Sequence, residues 1–270
     1  MNLRLYAAVA GMQARKLMSY RGDFWISAVV GFVAQAGILY ALWHSLYREA
    51  GTAEIAGRTL AGTMLYYVVA LLVSKVVRGN DNDHGMAEEI YSGGLTRFML
   101  YPTNYFAFKF AQRAGDQVPS LVQLVAFGAI VPLLLPHAPE ADMSAASIGL
   151  GLLAMVAAST LHYFLYLPVH AVAFWADEVW GLNVLVRMTS GFLGGLLLPL
   201  TVFPPWLREG VAWTPFPYLF SWPVETMLGT GKAGPFLPSL AMCVAWTLLF
   251  MAIGRLVWRR GGREYSGVGI

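Results

Sequence analysis

Six stretches of this chain are too long and too apolar to be the strands or core helices of a water-soluble domain. They start near Phe24 to Leu46, Leu60 to Val77, Val118 to Leu135, Ala145 to Leu167, Val184 to Phe203 and Phe236 to Val257. A helix needs roughly 20 mostly apolar residues to cross the hydrocarbon core of a bilayer. Inside that core every backbone polar group must be satisfied within the protein, which leaves helices as the way to fold such runs. Composition agrees. Only 12% of the 270 residues are charged, about half the share of a typical soluble domain. The pattern predicts an all-α integral membrane protein with six transmembrane helices in a single transmembrane domain, residues 1–270.

The placement of Lys and Arg orients these runs. With both termini in the cytoplasm, 14 of the 18 basic residues fall inside, and only Arg48, Arg58, Arg208 and Lys232 fall outside. The net charge of +3 is thereby explained by membrane boundaries, with no need of nucleic acid. The first apolar run is too long for a signal-peptide core, so no cleaved leader is expected. Cys243, the single cysteine, excludes an internal disulfide and reads as core filler.

Three segments lie outside the spans. Residues 1–22 read as an amphipathic interfacial helix: Arg4, Gly11 and Arg15 share one face, and Leu5, Tyr6, Val9, Met12 and Leu17 cover the rest. Residues 199–235, "PLTVFPPWLREGVAWTPFPYLFSWPVETMLGTGKAGP", are too apolar for a solvated loop and too rich in proline for one helix. They read as short re-entrant helices between spans five and six, on the extracytoplasmic side. Lys109, Arg113 and Asp116, spaced along one helical stripe, predict that the third helix begins in the cytosol before it reaches lipid.

Chemistry is scarce. "GTGKA" (Gly229 to Ala233) lacks the glycine and the Ser or Thr of a phosphate-binding loop. "DNDHG" offers Asp81, Asp83 and His84, but Gly85 and Ser92 stand where a calcium loop needs ligands. His162 and His170 have no carboxylate nearby in their helix and read as packed side chains. No Asp, Glu, Lys or Arg occupies the centre of a predicted span, where an ion-coupled carrier keeps its relay groups. No catalytic, cofactor-binding or metal-binding residue is therefore assigned. Gly191 and Gly195 have the small-xxx-small spacing that allows close helix packing, within the chain or across a dimer.

Five stretches in order carry a resemblance: "SYRGDF" (19–24), "EEIYSGGLTRFMLYPTN" (88–104), "AFWADEVWGLN" (173–183), "FPPWLREGVAWTPFPYLF" (203–220) and "WRRGGREYSGVG" (258–269). The chain resembles the permease subunits of type-2 ABC exporters, in particular a branch of paired bacterial permeases. The resemblance implies a multi-pass protein of the bacterial cytoplasmic membrane that works with two ABC ATPase subunits and a second permease, identical or related. ATP and Mg would be bound by the ATPase partner, none by this chain. Residues 79–104 become a cytoplasmic coupling loop seated on the ATPase. Glu88, Glu89 and Arg97 would supply its rim charges, and Ile90, Tyr91 and Phe98 its anchors. Asp177 and Glu178 read either as a second ATPase contact or as a hydrated turn. The tail 258–270 would meet the ATPase or anionic lipid headgroups. Two other functions are carried beside this one: a membrane-embedded lipid-modifying enzyme using His162 or His170, and an ion-coupled carrier.

Overall fold

The computed structural model describes residues 3–19, 21–79, 85–100, 103–134, 138–232 and 234–265. Asp81, Asp83, His84 and the last residues of the tail lie outside this set. Among the described residues helices predominate, and the only strands form one β-hairpin. Its elements are α1 (Leu3–Met18), α2 (Arg21–Ala50), β1 (Glu54–Ile55), β2 (Arg58–Thr59), α3 (Leu60–Arg78), α4 (Gly85–Tyr91), α5 (Leu95–Leu100), α6 (Tyr105–Leu134), α7 (Ala145–Ala171), α8 (Trp180–Leu193), α9 (Pro205–Ala212), α10 (Ser221–Leu228) and α11 (Phe236–Glu264).

α3 is apolar all round and is buried along most of its length, as a helix at the centre of a bundle must be. Thr59 caps it, its hydroxyl accepting the Gly62 N–H at 3.1 Å. α7 and α6 pack on two sides of α3, and α11 packs along α7. Small residues set the closeness of these crossings. A Cβ on Gly151 of α7 would lie 2.7 Å from Met227, and one on Gly254 of α11 would lie 2.6 Å from Leu167. α2 sits at the margin. It is held to α6 by stacking of Phe32 on Phe127 at 5.1 Å and to α3 by Trp43 against Tyr67 at 5.9 Å. Most of its other apolar side chains, among them Ile26, Val30, Val33 and Ile38, are exposed.

Among the described residues, four helices can cross a membrane by length and composition: Gly22–Ala50, Leu60–Arg78, Ala145–Phe174 and Phe236–Glu264. The other two expected spans differ. α6 starts at Tyr105, well ahead of its apolar run, and its first half carries the polar stripe Lys109, Arg113 and Asp116. α8 is only 14 residues long, roughly 21 Å at 1.5 Å per residue, which is short of a ~30 Å hydrocarbon core. The apolar run continues to Phe203, but the helix ends at Leu193 because the backbone reverses there. Gly195 has φ +85°, and the N–H groups of Leu196 and Leu197 both return to the Gly191 carbonyl.

α1 forms as the amphipathic pattern requires and lies across the first half of α6. Gly115 permits the crossing, since a Cβ there would meet the Ala10 carbonyl oxygen at 2.3 Å. Gln13 seals it by donating to Asp116 at 2.9 Å. Leu3, Leu5 and Met12 remain exposed.

Candidate functional site

The two ends of the bundle carry most of its polar chemistry. At one end, α4 and α5 form a small platform. Seven residues make α4, and Gly93 (φ +71°) turns the chain into α5. Met86, Ala87 and Ile90 on α4 and Leu95 on α5 are buried. Ile90 packs with Ala87 and Leu95 against Ala171, Ala173, Phe174 and Val179, the turn that follows α7. Glu89 is spent within the chain as well. Lys109 of α6 pairs with one of its oxygens at 2.6 Å, and the Tyr105 hydroxyl donates to the other at 2.6 Å. Burial, and then the Glu89 carboxylate, hold the Tyr105 phenol well above its ordinary pKa.

An aromatic nest joins this platform to α11. The Trp258 ring lies 5.0 Å from Tyr105, 4.8 Å from Phe106 and 5.1 Å from Phe174. Gly261 leaves room for Phe174, which a Cβ would meet at 2.2 Å. Trp175 donates to Glu264, and the hydroxyls of Thr96 and Tyr265 lie 3.2 Å apart.

This geometry divides the expected contact residues. Ile90, 2% exposed, cannot anchor a partner because its own chain covers it. Glu89 is an internal tie between α4 and α6, not a rim charge. Phe98 is half-buried, 5.2 Å from the Tyr105 ring, with Arg97 across its face at 5.8 Å. Tyr91 is also half-buried; burial and then Glu178 and Asp177 raise its pKa, so the 177–178 turn stands beside α4. What stays exposed in these segments is Glu88, Arg97, Asp177 and Glu178, and Leu100, at 80% exposure.

The glycine pair is used inside the chain. Gly195 lies beyond the end of α8, so it and Gly191 do not share a helical face. A Cβ on Gly195 would meet the Tyr66 hydroxyl at 2.9 Å, and one on Gly191 would lie 3.5 Å from Leu197. His162 is buried, with Nδ1 2.9 Å from the Arg113 guanidinium and its ring stacked on Tyr166 at 4.6 Å. A guanidinium only donates, so Nδ1 accepts here. Arg113 donates also to the Val77 carbonyl at 2.6 Å. His162 is thus engaged by a cation, not oriented by a carboxylate as a general base would be. Among the described residues no group of three or more His, Cys, Asp or Glu could hold a metal ion.

The opposite end, with the β-hairpin and α10, holds a pair that sequence reasoning missed. Arg58 and Glu225 form an ion pair whose side chains are 2% and 5% exposed. Thr230 donates to the second Glu225 oxygen at 2.6 Å. The Arg58 guanidinium lies 4.9 Å from the centre of the Tyr66 ring, and the Tyr66 hydroxyl donates to the Gly195 carbonyl at 2.7 Å. Tyr47 donates to the Arg58 carbonyl at 2.7 Å. Together these bonds tie α2, the β-hairpin, α3, the turn after α8, and α10. Glu140 joins the cluster by accepting the Thr59 N–H at 2.6 Å. Burial alone would raise its pKa, but the Thr59 bonds and Lys232 prevail and hold it below its ordinary value.

A bundle of long apolar helices, folded back through a buried hairpin at one end and ending in a polar platform at the other, defines a multi-pass membrane protein. The family model described as ABC-2 family transporter protein matches residues 32–269. The chain therefore belongs to the ABC-2 family, as a membrane permease component. No curated protein and no solved structure matched it.

Proposed function

We propose that this chain is the permease subunit of an ATP-driven exporter, coupled to a separate cytosolic ATPase through the α4–α5 platform. Six passes, counting α6 and a fifth pass completed by α8 and the turn after it, put both termini in the cytoplasm of a bacterial cell. Two ATPase subunits bind ATP and Mg, and a second permease, identical or related, completes the path. The family match together with the construction of the platform supports this reading. A lever must be stiff where it joins the load, and α4 is fixed to α6, α7 and α11 by Glu89, Ile90 and the Trp258 nest.

The contact then falls on the accessible edge: Glu88, Arg97, Leu100, Asp177 and Glu178. Charged rims set partner choice, while an apolar residue among them supplies the anchor. Co-purification of the full chain with candidate ATPases tests this. Charge reversal at Glu88 and Glu178 together is expected to weaken assembly and uncouple hydrolysis from the membrane subunit. Assembly and hydrolysis unchanged by both reversals would remove this edge as the contact.

A further inference from the structure

Next to the Arg58–Glu225 pair lies a cavity of about 540 Å³. Its wall includes Thr201, Arg208, Tyr218, Trp222, Glu225 and Lys232, drawn from the turn after α8, from α9, from α10 and from the segment before α11. The unused hydrogen-bonding capacity in this wall includes two donors. The indole N–H of Trp222, a residue 3% exposed, has no acceptor, and an indole can only donate. The Thr201 hydroxyl is buried without a partner. Arg208 is exposed, pairs with no acid among the described residues, and can only donate. The one carboxylate in the wall is already satisfied, by Arg58 on one oxygen and Thr230 on the other. Lys232 donates to the Gly57 carbonyl at 2.8 Å, and burial and then Arg58 lower its pKa. Glu225, Glu140 and Glu54 pull it the other way by less.

A buried donor left without a partner is costly, so two in one wall call for an acceptor from outside the chain. We infer that this cavity binds an anionic, acceptor-rich headgroup, a phosphate monoester or diester, with Trp222 and Thr201 donating to its oxygens and Arg208 supplying the countercharge. Arg208 and Lys232 oppose a cationic ligand, since Glu225, the carboxylate in the wall, is already paired with Arg58. The Tyr218 and Trp222 rings would flank the glycerol or acyl portion. The inference does not rest on the ATPase reading, since binding requires no second protein.

The test uses the purified full chain in neutral detergent, titrated with phosphatidylglycerol or phosphatidylcholine and followed by native mass spectrometry. Phosphatidylglycerol is expected to bind at least ten-fold tighter. W222F keeps the ring but removes the N–H, and R208A removes the charge. Each should weaken phosphatidylglycerol binding by about ten-fold, the scale of one lost hydrogen bond or ion pair to a charged group. T201V gives the same test should W222F fail to fold. R48A, an exposed arginine on α2 away from the cavity, should leave binding unchanged. Glycerol 3-phosphate added alone separates the sources. Displacement of the lipid at equal concentration identifies a free phosphate as sufficient, and lipid binding that it cannot displace identifies a membrane headgroup. Equal affinity for the two lipids, indifference to W222F and T201V, or an R48A loss as large as that of R208A would overturn the inference.

Discussion

Removing one member of the Arg58–Glu225 pair should damage this protein more than removing both. With its side chains 2% and 5% exposed, the pair has little water to fall back on. Loss of one partner from such a pair leaves an uncompensated buried charge, at a cost of about 3–5 kcal/mol. The two single variants should differ. In E225L the remaining guanidinium keeps the Tyr66 ring at 4.9 Å, a contact worth about 2 kcal/mol when desolvated, so this variant belongs at the lower end. In R58M the Glu225 carboxylate keeps only the Thr230 hydroxyl and the ring contact is lost too, which places it at the upper end. The double variant R58M/E225L leaves no charge behind, and well-packed apolar replacement of a buried pair is often neutral. Cys243, the only cysteine and fully buried, provides the assay: a thiol-reactive dye reports its exposure as the detergent-solubilised protein is heated. The singles should melt on the order of 10 °C below the parent, R58M lowest, and the double variant should recover most of that loss. Singles that melt like the parent, or a double variant as weak as R58M, would refute the argument that uncompensated charge sets the cost.

Three further outcomes are expected. I90A should lower the melting temperature of the isolated chain by an amount equivalent to about 2–5 kcal/mol, whereas E88K should leave it unchanged and act only on ATPase assembly; dye melting and co-purification separate the two. E140Q should lose about 1 kcal/mol at pH 7. The depressed pKa of Glu140 means that its contribution is present above the ordinary carboxylate value of 4.5 and is lost as pH falls through the lower folded value. The gap between parent and E140Q in dye melting should therefore close only below pH 4.5. G229A should be among the most damaging small substitutions, because Gly229 sits at φ +65° and a Cβ would lie 2.0 Å from the Asp142 carbonyl oxygen; its dye melting should fall further than that of G231A, where the φ is similar but nothing crowds the position.

What the sequence disclosed and what it hid follow from the range of the interactions involved. Runs such as Leu60 to Val77 and Phe236 to Val257 declare their helices by length alone, and the stripe Lys109, Arg113, Asp116 correctly marked a helix that begins before its apolar part. Hydropathy could not mark the end of α8, because Gly194 to Leu198 stays apolar through a turn. Ile90 posed a different difficulty. A short helix with one apolar face is written the same way whether the partner is another protein or the next helix of its own chain, and here Phe174 and Val179 supply the cover. Arg58 and Glu225 meet across 167 positions. Nothing local in "WPVETML" or in the approach to α3 tells that two ordinary boundary charges face each other away from water.

The one-sided attachment of α2 has a mechanical consequence. α3 is wedged on several flanks, so displacing it would disrupt the whole bundle at once, whereas α2 is fastened along a thin seam by rings such as Phe32 and Trp43 and, at one end, by the Tyr47 hydroxyl. Widening of the molecule should therefore part the Phe32 side of that seam first, with this outlying rod swinging about the end that Tyr47 pins to the hairpin.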